Sequence, residues 1–76
     1  MISTCMNEKE RRKIIDKIED LNQARASLHR SLEKLEENKK EMPEKKYNKL
    51  KKRYNEKQQK IREKIRQLEL KLKELT

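Results

Sequence analysis

The sequence predicts an all-α fold, an antiparallel two-helix coiled-coil hairpin that assembles into a dimeric four-helix bundle. Two stripes of apolar residues recur every three or four positions, a spacing typical of helices that pack along one face. The stripes mirror each other about a point two residues before Pro43, the only proline. The 76 residues include no glycine and 49% are charged, so the chain suits long exposed helices better than a thick globular core.

The first helix is predicted over residues 8–38, after a lead-in at residues 1–7. Its apolar positions alternate steps of four and three residues, which is the heptad pattern of a coiled coil. Disordered segments do not maintain such a pattern, so the periodicity favours a helix despite the high charge. This stripe comprises Ile14, Ile18, Leu21, Leu28, Leu32 and Leu35.

The second helix is predicted over residues 43–75, and its stripe can be paired head to tail with the first. In five of the six pairs the two residue numbers sum to 82, and Ile18 with Ile65 sums to 83. Matched levels of this kind are what two antiparallel helices of similar length require. The second stripe comprises Tyr47, Leu50, Tyr54, Ile61, Ile65 and Leu68.

The turn is predicted at residues 39–42. Pro43 lacks an amide hydrogen and disfavours helical angles at the residue before it, so the first helix should end here. With no glycine available, Asn38 is the expected left-handed residue of the turn. The alternative is one long kinked rod, but its continued heptads would place charged residues in the seam: Lys46, Lys49, Arg53 and Glu56.

A polar residue interrupts each stripe, and the pairing places the two interruptions at the same level. They are Arg25 in the first helix and Gln58 in the second, where two successive steps of four residues also break the heptad pattern. Polar residues that share a layer of a coiled coil set its register at some cost in stability. A register pair is therefore favoured here over an ion or substrate site.

Apolar residues continue beyond the paired stripes, at the end of the hairpin away from the turn. They exceed what two helices can cover, which predicts a self-association surface and a homo-oligomer, most simply a dimer. Frayed helix ends with exposed leucines are the simpler alternative. The residues concerned are Ile15, Leu70, Leu72 and Leu75.

The net charge of +9 is concentrated in the second helix. Residues 8–42 carry ten basic against nine acidic side chains, whereas residues 43–76 carry thirteen against five. One basic stripe recurs at steps of three and four, which predicts salt-dependent and sequence-independent binding to DNA or RNA phosphates. The stripe comprises Lys46, Lys49, Arg53, Lys57, Lys60 and Lys64.

The basic stripe has other interpretations. It could be a solvated face whose lysines pair with carboxylates of the first helix, including Glu33, Glu36 and Asp20. It could also meet an acidic protein partner, and an anionic membrane surface is a weaker option. Base-specific recognition is not indicated, because both tyrosines lie in the apolar seam and no DNA-binding motif is present.

No catalytic or metal-binding constellation is recognisable. His29 is the only histidine and Cys5 the only cysteine, too few ligands for a metal site. Ser27 and Ser31 lie near His29 on one helix, but no residue there could orient the imidazole or stabilise an oxyanion. We therefore expect no enzymatic activity, no cofactor and no small-molecule substrate.

Cysteine use and hydropathy bear on the compartment. A single Cys5 permits no internal disulfide, which is typical of a reducing environment. No signal-peptide core follows Met1, and no apolar stretch approaches the length of a membrane span. These observations predict a cytoplasmic protein.

The layout is similar to that of small two-helix proteins that dimerise into four-helix bundles. It also looks like the basic helical arms with which some tRNA synthetases hold RNA. The first resemblance implies self-association and the second implies RNA binding; neither includes a shared motif. The function favoured by the sequence is a non-catalytic interaction or scaffold module that self-associates, with sequence-independent nucleic-acid binding as the alternative.

Overall fold

In a computed structural model, the chain forms two long helices that pack against each other as a hairpin. The structure describes the backbone of residues 2–75 and the side chains of residues 7–75, so the side chain of Cys5 lies outside it. Helix α1 spans Ile2–Glu37 and helix α2 spans Glu44–Glu74. The molecule measures 61 × 15 × 11 Å. The predicted two-helix hairpin is confirmed.

Helix α1 begins at Ile2, whereas the sequence predicted a lead-in up to residue 7. The lead-in contains neither proline nor glycine, so nothing in it stops a helix from extending. Each residue added to an existing helix contributes one more backbone hydrogen bond, whereas starting a new helix is costly. At the last turns of α2, Leu72 and Leu75 are half-buried.

The turn differs from the prediction in its backbone angles. Asn38 has φ −95° and ψ 5°, and no described residue has a positive φ, so the predicted left-handed residue is absent. A short 3-10 helix at Lys39–Glu41 makes the reversal instead, with the Glu41 amide donating to the Asn38 carbonyl at 3.0 Å. The amides of Glu41 and Met42 donate to the carbonyls of Asn38 and Lys39, so the chain reverses through a tight 3-10 turn without a left-handed residue.

Pro43 sits between the 3-10 helix and α2. Its φ of −59° matches the value that the proline ring imposes, and its ψ of 139° is extended, so it is the residue immediately before the helix. The carbonyl of Pro43 accepts a hydrogen bond of 3.0 Å from the amide of Tyr47, which closes the first turn of α2. Pro43 therefore lies between the 3-10 helix and α2, and its carbonyl accepts the first hydrogen bond of α2.

The buried core lies near the two ends of the seam. Leu35 and Tyr47 are each 5% exposed beside the turn, while Ile14 and Ile65 are 6% and 7% exposed towards the open end. Between these two levels the seam residues are only half-buried, because each helix packs against one neighbour and both sides of the seam remain open to solvent. The half-buried residues of the seam are Ile18, Leu21, Leu28, Leu32, Leu50, Tyr54, Ile61 and Leu68.

Candidate functional surfaces

A cluster of polar contacts around Tyr47 joins the two helices beside the turn. The Tyr47 hydroxyl donates a hydrogen bond of 2.6 Å to Oε1 of Glu36 in α1. Lys51, one turn further along α2, donates to the Tyr47 hydroxyl at 3.1 Å and approaches the same Glu36 oxygen at 3.3 Å. The Nζ of Lys39 lies 5.0 Å from the centroid of the Tyr47 ring, within the range of a cation–π contact.

These contacts shift the ionisation of two groups. The hydrogen bond from Tyr47, followed by that from Lys51, holds the pKa of Glu36 below its ordinary value. The hydrogen bonds of Lys51 to Tyr47 and then to Glu36 raise the pKa of that lysine. Each group is therefore stabilised in its charged form. We interpret these contacts, the Tyr47 cluster of Tyr47, Glu36, Lys51 and Lys39, as a structural element that holds the two helices together beside the turn.

The seam divides the hairpin into two long sides. Residues spaced by multiples of seven lie on the same side of a coiled-coil helix. One side of α1 therefore carries Lys17, Ser31 and Asn38, and we call it the Ser31 side. Asn22, His29 and Glu36 are seven residues apart on the other, the His29 side. The Tyr47 cluster therefore belongs to the His29 side.

The predicted basic stripe lies along the Ser31 side. Lys64 lines a groove there with Lys17, and the other members precede Lys64 at steps of three or four residues. All six side chains are exposed, and none has an ion pair with a described residue. The described ion pair between the helices is Lys51–Glu36, which does not involve the stripe. Glu33 is engaged by His29 within α1, with Nε2 and Oε1 3.0 Å apart.

An apolar groove lies on the Ser31 side near the open end of the hairpin. Leu21 of α1 and Leu68 of α2 contribute apolar surface to it, and lysines from both helices line it as well. Two large apolar residues among the described side chains are exposed, Ile15 at 38% and Leu70 at 54%, and both occur at the same end. Ile15 lies among charged side chains of α1, including Arg12 and Asp16, so it shares no groove with Leu70.

Arg25 and Gln58, predicted as a register pair, lie in one groove on the His29 side. Arg25 is exposed and Gln58 is half-buried, and their role in setting the register stays a prediction. Arg30 and Arg62 join them in the groove. The sequence alone did not single out these two arginines or Lys51. It indicated Glu36 as a partner for lysines of the second helix, but which lysine it meets depends on the rotation of each helix.

The described residues contain little else that suggests chemistry. No three His, Cys, Asp or Glu side chains among them come close enough together to hold a metal ion. No described helix is long and apolar enough to cross a membrane. Comparisons with protein-family models, with curated protein sequences and with solved structures find no match to this chain.

Proposed function

We propose that this protein is a non-catalytic interaction module whose hairpins associate with one another through their open ends, most simply as a dimer. The observation that carries this proposal is the position of the uncovered apolar surface. Ile15, Leu70 and the groove of Leu21 and Leu68 all occur at the end away from the turn. Exposed apolar surface of this kind is reduced when a second hairpin packs against it.

The packing of the seam supports the same proposal. Among the side chains of residues 7–75, only Ile14, Leu35, Tyr47 and Ile65 are buried, while most of the seam is half-exposed. In a four-helix bundle each seam contacts neighbours on more sides than in an isolated hairpin, so the half-buried residues would lose further contact with water. The cost of ordering long helices with few buried residues favours such an assembly.

Sedimentation velocity at micromolar concentration tests the proposal. The native chain should sediment as a dimer or larger species, and the double variant Ile15→Lys with Leu70→Lys should shift it towards the monomer. Both residues are exposed in the hairpin, so circular dichroism should show the helices retained. The matched control is Gln23→Lys with Gln59→Lys, which adds the same charge at exposed polar positions. A native monomer, or equal behaviour of the two variants, would contradict the proposal.

A second candidate function is binding to the phosphate backbone of DNA or RNA without regard to sequence. It is favoured by the exposure of all six basic-stripe residues and by their lack of ion pairs with described carboxylates. An array of cations that the protein itself leaves unneutralised attracts a polyanion and releases the counterions condensed on it. The stripe follows one side of a straight hairpin, which suits an extended ligand.

Fluorescence anisotropy with a labelled duplex and a labelled single strand, over a series of salt concentrations, tests this second function. The logarithm of the affinity should fall with the logarithm of salt with a slope of about 0.7 to 0.9 per neutralised phosphate. The variant Lys49→Glu, Arg53→Glu, Lys60→Glu should abolish binding. Its control reverses two lysines and one arginine of α1, Lys9, Arg12 and Lys13, and should retain more of the affinity. No binding at low salt would exclude this function.

A further inference from the structure

The groove on the His29 side at the middle of the hairpin differs in composition from the rest of the surface. Its cations are Arg25 and Arg30 from α1 and Arg62 from α2, and the imidazole of His29 lies beside them. None of the described residues that line it is a lysine, although the chain has sixteen lysines and only seven arginines. Arginine presents a planar fork of donors that matches the oxygens of a phosphate, whereas lysine presents a single point charge.

The charges in this groove are not balanced by the protein. None of the described residues that line it is acidic, and its three arginines have no ion pair with a described carboxylate. The nearby Glu33 is held by His29 at 3.0 Å. Three guanidinium groups gathered without counter-charges produce a local positive potential, which an anion relieves.

The groove also offers neutral donors at the same level. Asn22 and Gln58 line it, and their side-chain amides can donate hydrogen bonds to oxygens that the arginines do not reach. Gln58 occupies the position where the heptad of α2 breaks, so the seam here presents a polar group rather than an apolar one. Cations and amides from both helices therefore converge on one cleft.

We propose that this arginine groove is a binding site for phosphate groups, with guanidinium groups from both helices gripping the phosphate oxygens. The site lies on the side opposite the basic stripe and uses none of its residues, so it does not depend on either function proposed above. The phosphate could belong to a free polyphosphate or to a nucleic-acid backbone. Both present the same oxygens to the groove.

Isothermal titration with sodium tripolyphosphate and anisotropy with a labelled oligothymidine strand test the site. The variant removes its three arginines together: Arg25→Gln, Arg30→Gln, Arg62→Gln. Because charge-assisted hydrogen bonds are lost, the affinity for at least one probe should fall about tenfold or more. The matched control removes three exposed arginines elsewhere, Arg11→Gln, Arg12→Gln, Arg66→Gln, with the same change in net charge.

The comparison between the two triple variants decides the outcome. A loss of affinity confined to the groove variant supports the site. If that loss is seen only with tripolyphosphate, the ligand is a free phosphate compound. If it is seen with oligothymidine, the ligand is a nucleic-acid backbone. An equal loss in both variants, or no binding of either probe by the native chain, would overturn the proposal. Sedimentation of the same variants keeps this result separate from self-association, since the groove substitutions should leave the sedimentation coefficient unchanged.

Discussion

The Tyr47 hydroxyl of α2 donates a hydrogen bond of 2.6 Å to the carboxylate of Glu36 in α1, and this bond joins the helices beside the turn. Tyr47 is 5% exposed, so its ring is part of the core while its hydroxyl reaches the polar edge. Lys51 and Lys39 complete the cluster from α2 and from the 3-10 helix. One side chain thus contacts all three elements of the hairpin.

Replacing Tyr47 by phenylalanine should lower the midpoint of thermal unfolding. The ring remains packed, but Glu36 and Lys51 lose the hydroxyl that lies between them. Tyr54→Phe is the control, because Tyr54 is half-buried and its hydroxyl has no hydrogen bond with a described side chain. Circular dichroism melts at one protein concentration would measure both variants, and equal midpoints would contradict the assigned role of the Tyr47 hydroxyl.

Stability should depend on pH through Glu36. Its pKa is lower in the folded chain than the ordinary value of 4.5, so its contribution is fully present above about pH 4.5. That contribution is lost as the pH falls through the folded pKa, because the carboxyl is then protonated in both states. The unfolding midpoint of the native chain should therefore exceed that of Glu36→Gln at pH 6, and the difference should shrink on acidification. A difference that does not change between pH 6 and pH 3 would refute this.

Lys51 should produce the opposite dependence at high pH. Its pKa is raised above the ordinary 10.5, so the stabilisation is present below that pH and is lost as the pH rises through the folded pKa. Lys51→Gln should therefore converge with the native chain only above about pH 10.5. Lys52→Gln, at an exposed position outside the Tyr47 cluster, is the control in the same melts. Parallel curves for native chain and Lys51→Gln would argue against the cluster.

Removing one methyl group should distinguish the core from the surface. Ile65→Val, at a residue only 7% exposed, should lower the free energy of unfolding by about 0.5–1.5 kcal/mol. Ile15→Val is the same substitution at a residue 38% exposed, so it should have a smaller effect. Urea unfolding at a fixed protein concentration would measure both. The assignment of the core fails if Ile15→Val is the more destabilising.

Pro43→Ala should destabilise the hairpin by about 0.4–1 kcal/mol. The native φ of −59° already matches the proline ring, so alanine mainly gives the unfolded chain more conformational freedom. Urea unfolding would measure the loss. Small-angle scattering would show whether the variant remains a hairpin with a long dimension near 61 Å. An equally stable variant of unchanged shape would mean that the 3-10 helix alone directs the reversal.

The sequence by itself determined the hairpin. The spacing of the apolar residues shows which face of each helix is apolar, and Pro43 marks where the first helix must end. The seam residues could be named for the same reason, Tyr47 among them. The start of α1 could not be predicted, because residues 2–7 contain no strong signal for or against a helix. The helix that follows favours extension through them.

Only the tertiary structure decided which charged residues meet. Glu36, Lys51, Arg25 and Arg62 lie beside or near the seam, where composition is charged throughout, so their partners depend on the rotation and axial offset of the two helices. The rotation and axial offset of the helices are set by the burial of the apolar seam as a whole. They cannot be deduced from the position of any one charged residue in the sequence. The Tyr47 cluster and the arginine groove therefore form only when the two helices are packed together.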